Sequence, residues 1–259
     1  MAISFERINR LSMVDKLALV NFLIFVGLHL LKAFHSFLHT FSENVIISFL
    51  ACPSSIGGLL EKPWAIVSYS FIQYDPTHAL LNILWLIWVG SLAARLNLRQ
   101  SGIFSLYLCS AIIGGLSYVL VSTLTGIDDS LLLGSSASVI SLAVAVAVFR
   151  PSLKVSIPLL PVMPVVIPVA AIVLAEACMV TIGNPASHFA HIGGIASGFL
   201  FGFFWRHRFS RISLTIISGK TNDTSALIQK IRTSGFESLS PEERDSLYQV
   251  QRVKTTDNS

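Results

Sequence analysis

Charged residues are scarce in this chain. Asp, Glu, Lys and Arg make up 12% of its 259 residues, whereas soluble domains carry about 25%. Hydrophobic residues reach 53% and the mean hydropathy is +0.70, so we expect an integral membrane protein whose surroundings are the lipid bilayer. Basic residues barely outnumber acidic ones, 18 against 14. This small excess does not indicate the basic surface of a nucleic-acid-binding protein.

Cysteine is also rare. Cys52, Cys109 and Cys178 are far apart and form no C-x-x-C pair. The spacing argues against a disulfide framework and against a thiolate zinc site, and buried inert thiols are expected instead.

Long apolar runs are what the chain has in abundance. A membrane-spanning helix needs roughly 20 apolar residues. Six runs are predicted to span, although the fourth and sixth are short: Val14–Phe37, Thr77–Ala94, Ile103–Leu124, Gly134–Phe149, Ile157–Val180 and Phe189–Trp205. The first is too long for a signal peptide and lacks a cleavage site, so it is expected to remain as an anchor. The fold class is therefore all-α, a polytopic six-helix bundle.

The basic residues predict the orientation of the bundle. Lys62 is in the outer loop, whereas most of the others lie near the N-terminus or after spans two, four and six: Arg7, Arg10, Lys16, Arg95, Arg99, Arg150, Lys154, Arg206, Arg208, Arg211 and Lys220. Because cytoplasmic loops are enriched in Lys and Arg, both termini are expected in the cytoplasm.

The domain boundaries follow from this orientation. Residues 1–13 form a cytosolic tail, 14–205 the six-span domain with a long outer loop at 38–76, and 206–259 a cytosolic helical tail. Residues 42–48 of the loop are predicted to begin a short helix. In the C-terminal tail, residues 223–232 predict a helix that ends at Gly235. Ser240 and Glu243 form a capping box that opens a second helix to about Val250.

Several polar residues stand at the starts of apolar runs. His78 and Asn82 are four residues apart near the start of span two and share a helix face. Ser136 begins span four, and His191 lies near the start of span six. Spans two, four and six all run from outside to inside, so these side chains are expected within roughly 10 Å of the same membrane surface.

The four residues suggest acyl-transfer chemistry. Ser136 is the expected nucleophile and His191 the general base that takes its proton. The backbone N–H of Ser136, with the side chains of His78 and Asn82, is expected to stabilise an oxyanion. No buried acid is expected beside His191, which favours a dyad. Glu176, near the outer end of span five, is interpreted as either a proton-handling group or a solvated carboxylate.

Small residues predict which helices pack closely. Gly194, Gly198 and Gly202 repeat every four residues in span six, and span four repeats Ala137, Ser141 and Ala145. Such stripes let helix backbones approach one another. Span five has four prolines in its first half, which predict an irregular helix: Pro158, Pro161, Pro164 and Pro168.

Taken together, these motifs resemble the rhomboid family of intramembrane serine proteases. The resemblance rests on Gly134-x-Ser136, on His78-x-x-x-Asn82 and on Ala190-His191-x-x-Gly194-x-x-x-Gly198. It covers about residues 14–205 and also matches in the order of the motifs, the number of spans and the long first outer loop. It implies a Ser136–His191 dyad, an oxyanion site with His78 and Asn82, packing glycines at Gly134, Gly194 and Gly198, and no metal or cofactor.

The resemblance also implies a substrate and a location. The expected substrates are single transmembrane segments of other membrane proteins, cut near the membrane edge. Similarity to bacterial members implies the inner membrane, with the active site near its outer face.

Three other interpretations compete with a protease. A non-cleaving protein of the same fold would bind transmembrane helices, but such relatives typically lose the serine or the histidine. A proton-coupled transporter is disfavoured because the chain has no internal repeat. A metal site at His188 and His191 has a feasible spacing, but no third ligand is expected nearby.

Overall fold

The computed structural model describes residues 11–38, 43–126, 131–157, 160–179, 185–240 and 242–243, and these are mostly helical. The chain divides into two compact units, Met1–Phe204 and Trp205–Ser259. The predicted division into a six-span domain at 14–205 and a cytosolic tail at 206–259 stays a prediction.

Nine α-helices and four short strands make up the described chain. The helices are α1 Met13–Leu38, α2 Glu43–Leu50, α3 Ile56–Glu61, α4 Ala65–Ser68, α5 Pro76–Arg95, α6 Gln100–Thr125, α7 Ser136–Phe149, α8 Val166–Met179 and α9 Pro185–Ser234. The strands are β1 Cys52–Pro53, β2 Leu131–Leu132, β3 Lys154–Val155 and β4 Met163–Pro164. Two 3-10 turns, Tyr69–Phe71 and Phe236–Ser238, complete the described elements.

Three helices are long and apolar enough to cross a bilayer: Met13–Phe34 within α1, Pro76–Arg95 and Gln100–Thr125. They coincide with the first three predicted spans to within a few residues. Two shorter apolar helices, Ser136–Phe149 and Val166–Cys178, fall inside the fourth and fifth predicted spans. The sixth predicted span lies within α9. The count of six spans therefore stays a prediction.

The fifth span is shorter than its apolar run. Its helix begins at Val166, not at Ile157 as predicted, because the preceding residues form an antiparallel hairpin that pairs Val155 with Met163. Proline lacks the N–H that a helix interior needs, so Pro161 and Pro164 stay outside the helix while Pro168 fits into its first turn. Pro158 lies outside the described residues.

The outer loop packs against the bundle. Its predicted short helix is α2, although Ser42 lies outside the described residues. The Tyr69 hydroxyl donates to the Ala111 carbonyl of α6 at 2.8 Å, and β1 pairs with β2. Cys52 is completely buried among these elements, and that burial raises the pKa of its thiol to about 12. The loop is thus a packed part of the fold rather than a bare connector.

Helices α7 and α9 meet through their small residues. A Cβ added at Gly194 or Gly198 would collide with the backbone oxygen of Ala137 or Ser141 respectively, and one at Gly202 would lie 2.6 Å from the Ala145 oxygen. The glycine stripe of α9 therefore lies directly against the small-residue stripe of α7. Backbones this close gain dense packing contacts that do not depend on water.

A cluster of buried hydroxyls ties α6 to the same two helices. The Ser110 hydroxyl donates to the Ser141 hydroxyl at 2.6 Å, and the Ser197 hydroxyl donates to Ser110 at 2.9 Å. All three side chains are buried. A hydroxyl surrounded by apolar side chains needs such a hydrogen-bond partner. The hydrogen bonds between these serines also fix the three helices relative to one another.

The C-terminal unit differs from its prediction in one respect. Helix α9 continues without interruption to Ser234, so the predicted 223–232 helix is part of it. The chain then turns at Gly235, whose φ is +79°. Ser240 and Glu243 exchange the two hydrogen bonds of a capping box, at 2.7 and 3.2 Å, as predicted. The helix expected to follow, to about Val250, lies outside the described residues.

The α7–α9 contact predicts a stability difference between two glycines. Gly198→Ala should lower the free energy of unfolding by about 1–3 kcal/mol, because its methyl group meets the Ser141 backbone. Gly27→Ala is the matched control, since a Cβ there meets nothing within 4 Å and alanine favours a helix by about 1 kcal/mol.

Thermal unfolding in detergent, read by a thiol dye, measures both changes. In a Cys109→Ser, Cys178→Ser background only Cys52 is left to react, and it is buried and protonated until the fold opens. Equal midpoints for the two glycine variants would contradict the close approach of α7 and α9.

Candidate active site

Ser136 is the first residue of α7, immediately after a tight backbone turn. Gly134 has φ +115°, a conformation that residues with a side chain rarely adopt. Its N–H donates to the Tyr69 carbonyl at 3.0 Å, which joins the turn to the outer loop. The N–H of Ser136 belongs to the first turn of a helix, where no intrahelical acceptor exists.

The structure brings Ser136 and His191 into direct contact. The Ser136 Oγ lies 2.7 Å from the His191 Nε2, although 55 positions separate them in the chain. His191 stands in the second turn of α9, just before Gly194 meets the Ala137 backbone. The close packing of the two helices thus holds the pair together.

Glu176 corrects the expectation that no acid lies beside His191. Its Oε2 is 2.7 Å from the His191 Nδ1 and 2.9 Å from the His188 Nδ1. A carboxylate only accepts hydrogen bonds, so both Nδ1 atoms carry the protons. The Nε2 of His191 is then an acceptor and receives the hydrogen bond from the Ser136 hydroxyl. The result is a continuous chain of contacts from Glu176 through His191 to Ser136.

The same carboxylate corrects a second expectation. His188 and His191 were expected to lack a third metal ligand, yet Glu176 supplies one, with all three ligand atoms within 4.8 Å of one another. The three side chains are 17–20% exposed, so the cluster lies at the surface of the protein.

His78 and Asn82 lie in the first two turns of α5. The ring of His78 rests against this turn, since a Cβ added at Gly134 would lie 3.0 Å from its Cε1. The α5 N-cap, Asp75, accepts from the His78 backbone N–H at 2.6 Å and so fixes where this helix begins. Asn82 is buried, and its Nδ2 donates to the Oε1 of Gln73 at 3.1 Å.

Gln73 is the residue that sequence reasoning missed. It is 1% exposed, and its Nε2 donates to the Ser135 Oγ at 2.8 Å while its Oε1 accepts from Asn82. It therefore connects α5 to the turn before Ser136. An amide side chain directly after Ile72, in a half-apolar outer segment, was the only signal available for it.

The comparison with known families bears on this geometry. A family model described as a Rhomboid domain matches residues 60–208, which is more than half of the chain. The chain belongs to the rhomboid family. Rhomboids are intramembrane serine proteases, and the matched stretch contains Ser136, His191, Glu176 and Gln73. Family membership and the apolar helices together make this an integral, multi-pass membrane protein. No curated protein matches the chain.

The Gln73 network predicts coupled losses of stability. Gln73→Leu leaves the Ser135 hydroxyl and the Asn82 amide without this partner, and an unsatisfied buried polar group costs about 1–3 kcal/mol. Asn82→Leu should cost less in the Gln73→Leu background than in the wild type, because their shared hydrogen bond is already gone. Thermal unfolding of the two single variants and the double variant measures the coupling. Strictly additive losses would argue against the contact.

Proposed function

We propose that this rhomboid is an active intramembrane endopeptidase with Ser136 as its nucleophile and His191 as its general base. The observation that carries the proposal is the 2.7 Å contact between the Ser136 Oγ and the His191 Nε2. Nucleophile and base within hydrogen-bond reach are the signature of an activated serine. A rhomboid-like protein that only binds helices has no need of this pairing.

The reaction follows from this contact. The Ser136 Oγ attacks the carbonyl carbon of the scissile peptide bond while His191 takes the hydroxyl proton at Nε2. The tetrahedral intermediate collapses when the imidazolium gives this proton to the departing amine, which leaves an acyl-enzyme on Ser136. Water then attacks the ester with His191 again acting as the base, and the second product leaves as a carboxylic acid.

Glu176 is the positioning residue of this mechanism. Its carboxylate holds the proton of His191 on Nδ1, at 2.7 Å, so that Nε2 faces the serine with its lone pair. The same negative charge stabilises the imidazolium that forms during attack. The proposal thus extends the expected dyad to a Ser136–His191–Glu176 triad.

Donors for the oxyanion surround the Gly134 turn. The Ser136 N–H is a first-turn helix donor, and the positive end of the helix dipole favours negative charge there. The His78 ring rests on the turn. The Asn82 amide has two N–H groups, and its contact with Gln73 uses one of them. These three groups are proposed to bind the oxyanion.

The proposed substrates are transmembrane segments of other proteins. A peptide carbonyl within a helix is hydrogen-bonded to the following turn, so the segment must unwind locally before Ser136 can attack. We further propose six spans, with both termini in the cytoplasm, because the basic residues cluster on one side. The active site then lies near the outer face of a bacterial inner membrane.

Labelling by a fluorophosphonate probe tests the nucleophile and the base. Wild-type protein in detergent should label, Ser136→Ala should not label, and His191→Ala should label at least about 100-fold more slowly because its base is gone. Ser138→Ala is the control, because the Ser138 hydroxyl donates to the Tyr107 carbonyl inside the bundle. No labelling of folded wild type would favour a non-cleaving helix-binding protein, and labelling of Ser136→Ala would identify another nucleophile.

Glu176→Gln tests the positioning role. The amide keeps the shape of the side chain but loses its charge, and its NH2 group favours the tautomer of His191 that has a proton on Nε2. For a transmembrane substrate, kcat should fall about 10- to 100-fold with KM little changed, less than for a fully buried acid because the Glu176 side chain is 19% exposed. Glu61→Gln, at the end of α3, is the control. A wild-type kcat for Glu176→Gln would mean that the dyad acts without the acid.

A further inference from the structure

Glu176, His188 and His191 form a cluster with the chemistry of a transition-metal site. The three side chains offer two imidazole nitrogens and one carboxylate oxygen within 4.8 Å of one another. These are ligand types that Zn²⁺ prefers, at about 2.0–2.2 Å from the ion. Each side chain is about one-fifth exposed, so the cluster is not sealed inside the protein.

The arrangement of the three ligands is chelating. His188 and His191 are three residues apart on α9, so both rings come from the same helix face, and their centroids are 5.8 Å apart. Glu176 approaches from α8 and already lies within 2.9 Å of both Nδ1 atoms. Catalytic zinc sites likewise combine three protein ligands with one open position.

We propose that this cluster binds Zn²⁺, or a similar divalent transition metal, and that the bound ion inhibits the protease. The metal site is independent of peptide cleavage, but the inhibition rests on the proposed role of His191 as the base. His191 would then contact the metal ion through one ring nitrogen and Ser136 through the other.

The inhibition follows from the tautomer of His191. In the metal-free site Nδ1 carries the proton and the Nε2 lone pair accepts from Ser136. A metal ion binds through the Nδ1 lone pair, so the proton that Nδ1 carried is lost to solvent and a proton is taken up at Nε2. The ring stays neutral, but Nε2 is now an N–H donor. It can no longer take the proton of the Ser136 hydroxyl, and the serine loses its base.

Cobalt binding tests the metal site without any need for activity. Co²⁺ added to chelator-treated Ser136→Ala protein should give the strong visible absorption of a tetrahedral ion. His188→Ala and Glu176→Gln, made in this same background, should each raise the dissociation constant at least about 10-fold, because each removes or weakens one of three ligands. His29→Ala is the matched control, a histidine on α1 whose ring contacts the Phe25 carbonyl. Absence of the absorption, or equal affinity in His188→Ala, would overturn the site.

Zinc inhibition then tests the consequence. Zn²⁺ should slow fluorophosphonate labelling of the Ser136-containing protein, and chelator should restore it. The zinc concentration for half-inhibition should rise at least about 10-fold in His188→Ala, with each variant compared with its own metal-free rate. Unchanged labelling of metal-saturated protein would overturn the inhibition. If wild type does not label at all, the proposed protease activity fails, whereas the cobalt titration still decides the metal site.

Discussion

The structure depends above all on the approach of two helix backbones. Gly194 and Gly198 of α9 lie against the Ala137 and Ser141 backbones of α7 with no space for a Cβ. Ser136 and His191 stand just before this contact, one on each helix. Because the side chains of serine and histidine are short, the 2.7 Å between their reactive atoms is available only if the backbones are this close. The packing glycines therefore hold the two side chains of the proposed dyad together.

Hydrogen bonds fix the relative positions of the helices, which the packing of small residues alone does not determine. Small residues without polar partners would allow α7 and α9 to slide along each other. The Ser110–Ser141–Ser197 hydroxyls fix their depth, and Gln73 fixes the turn before Ser136 by joining Ser135 to Asn82. In an apolar surrounding each of these groups would be costly unpaired, so the helices have few alternative positions. The polar residues thus select one arrangement among many that pack equally well.

The sequence predicted the features that depend on local composition. Apolar length located the first three spans, and four-residue periodicity located the two stripes of small residues. The predicted topology placed Ser136 and His191 at a similar membrane depth, although it predicted no contact between them. Glu176 was missed as a partner because its distance from His191 depends on where α8 begins and how it is rotated. Pro161 and Pro164 shift that beginning to Val166, which no count of apolar residues reveals. Gln73 was missed because its partners are fixed by a loop path.

The position of Glu176 suits two proposed roles that exclude each other, the orientation of His191 and the binding of a metal ion. A carboxylate orients a histidine best when it lies within hydrogen-bond distance of Nδ1, and that position is also suitable for a shared metal ion. His188 adds a third ligand from the same helix, which a purely orienting acid does not need. The proton on Nδ1 and a metal ion therefore compete for one lone pair, and only the protonated form leaves Nε2 free to act as a base. In the proposed mechanism, the contact that prepares the serine for attack would also make it sensitive to divalent metals.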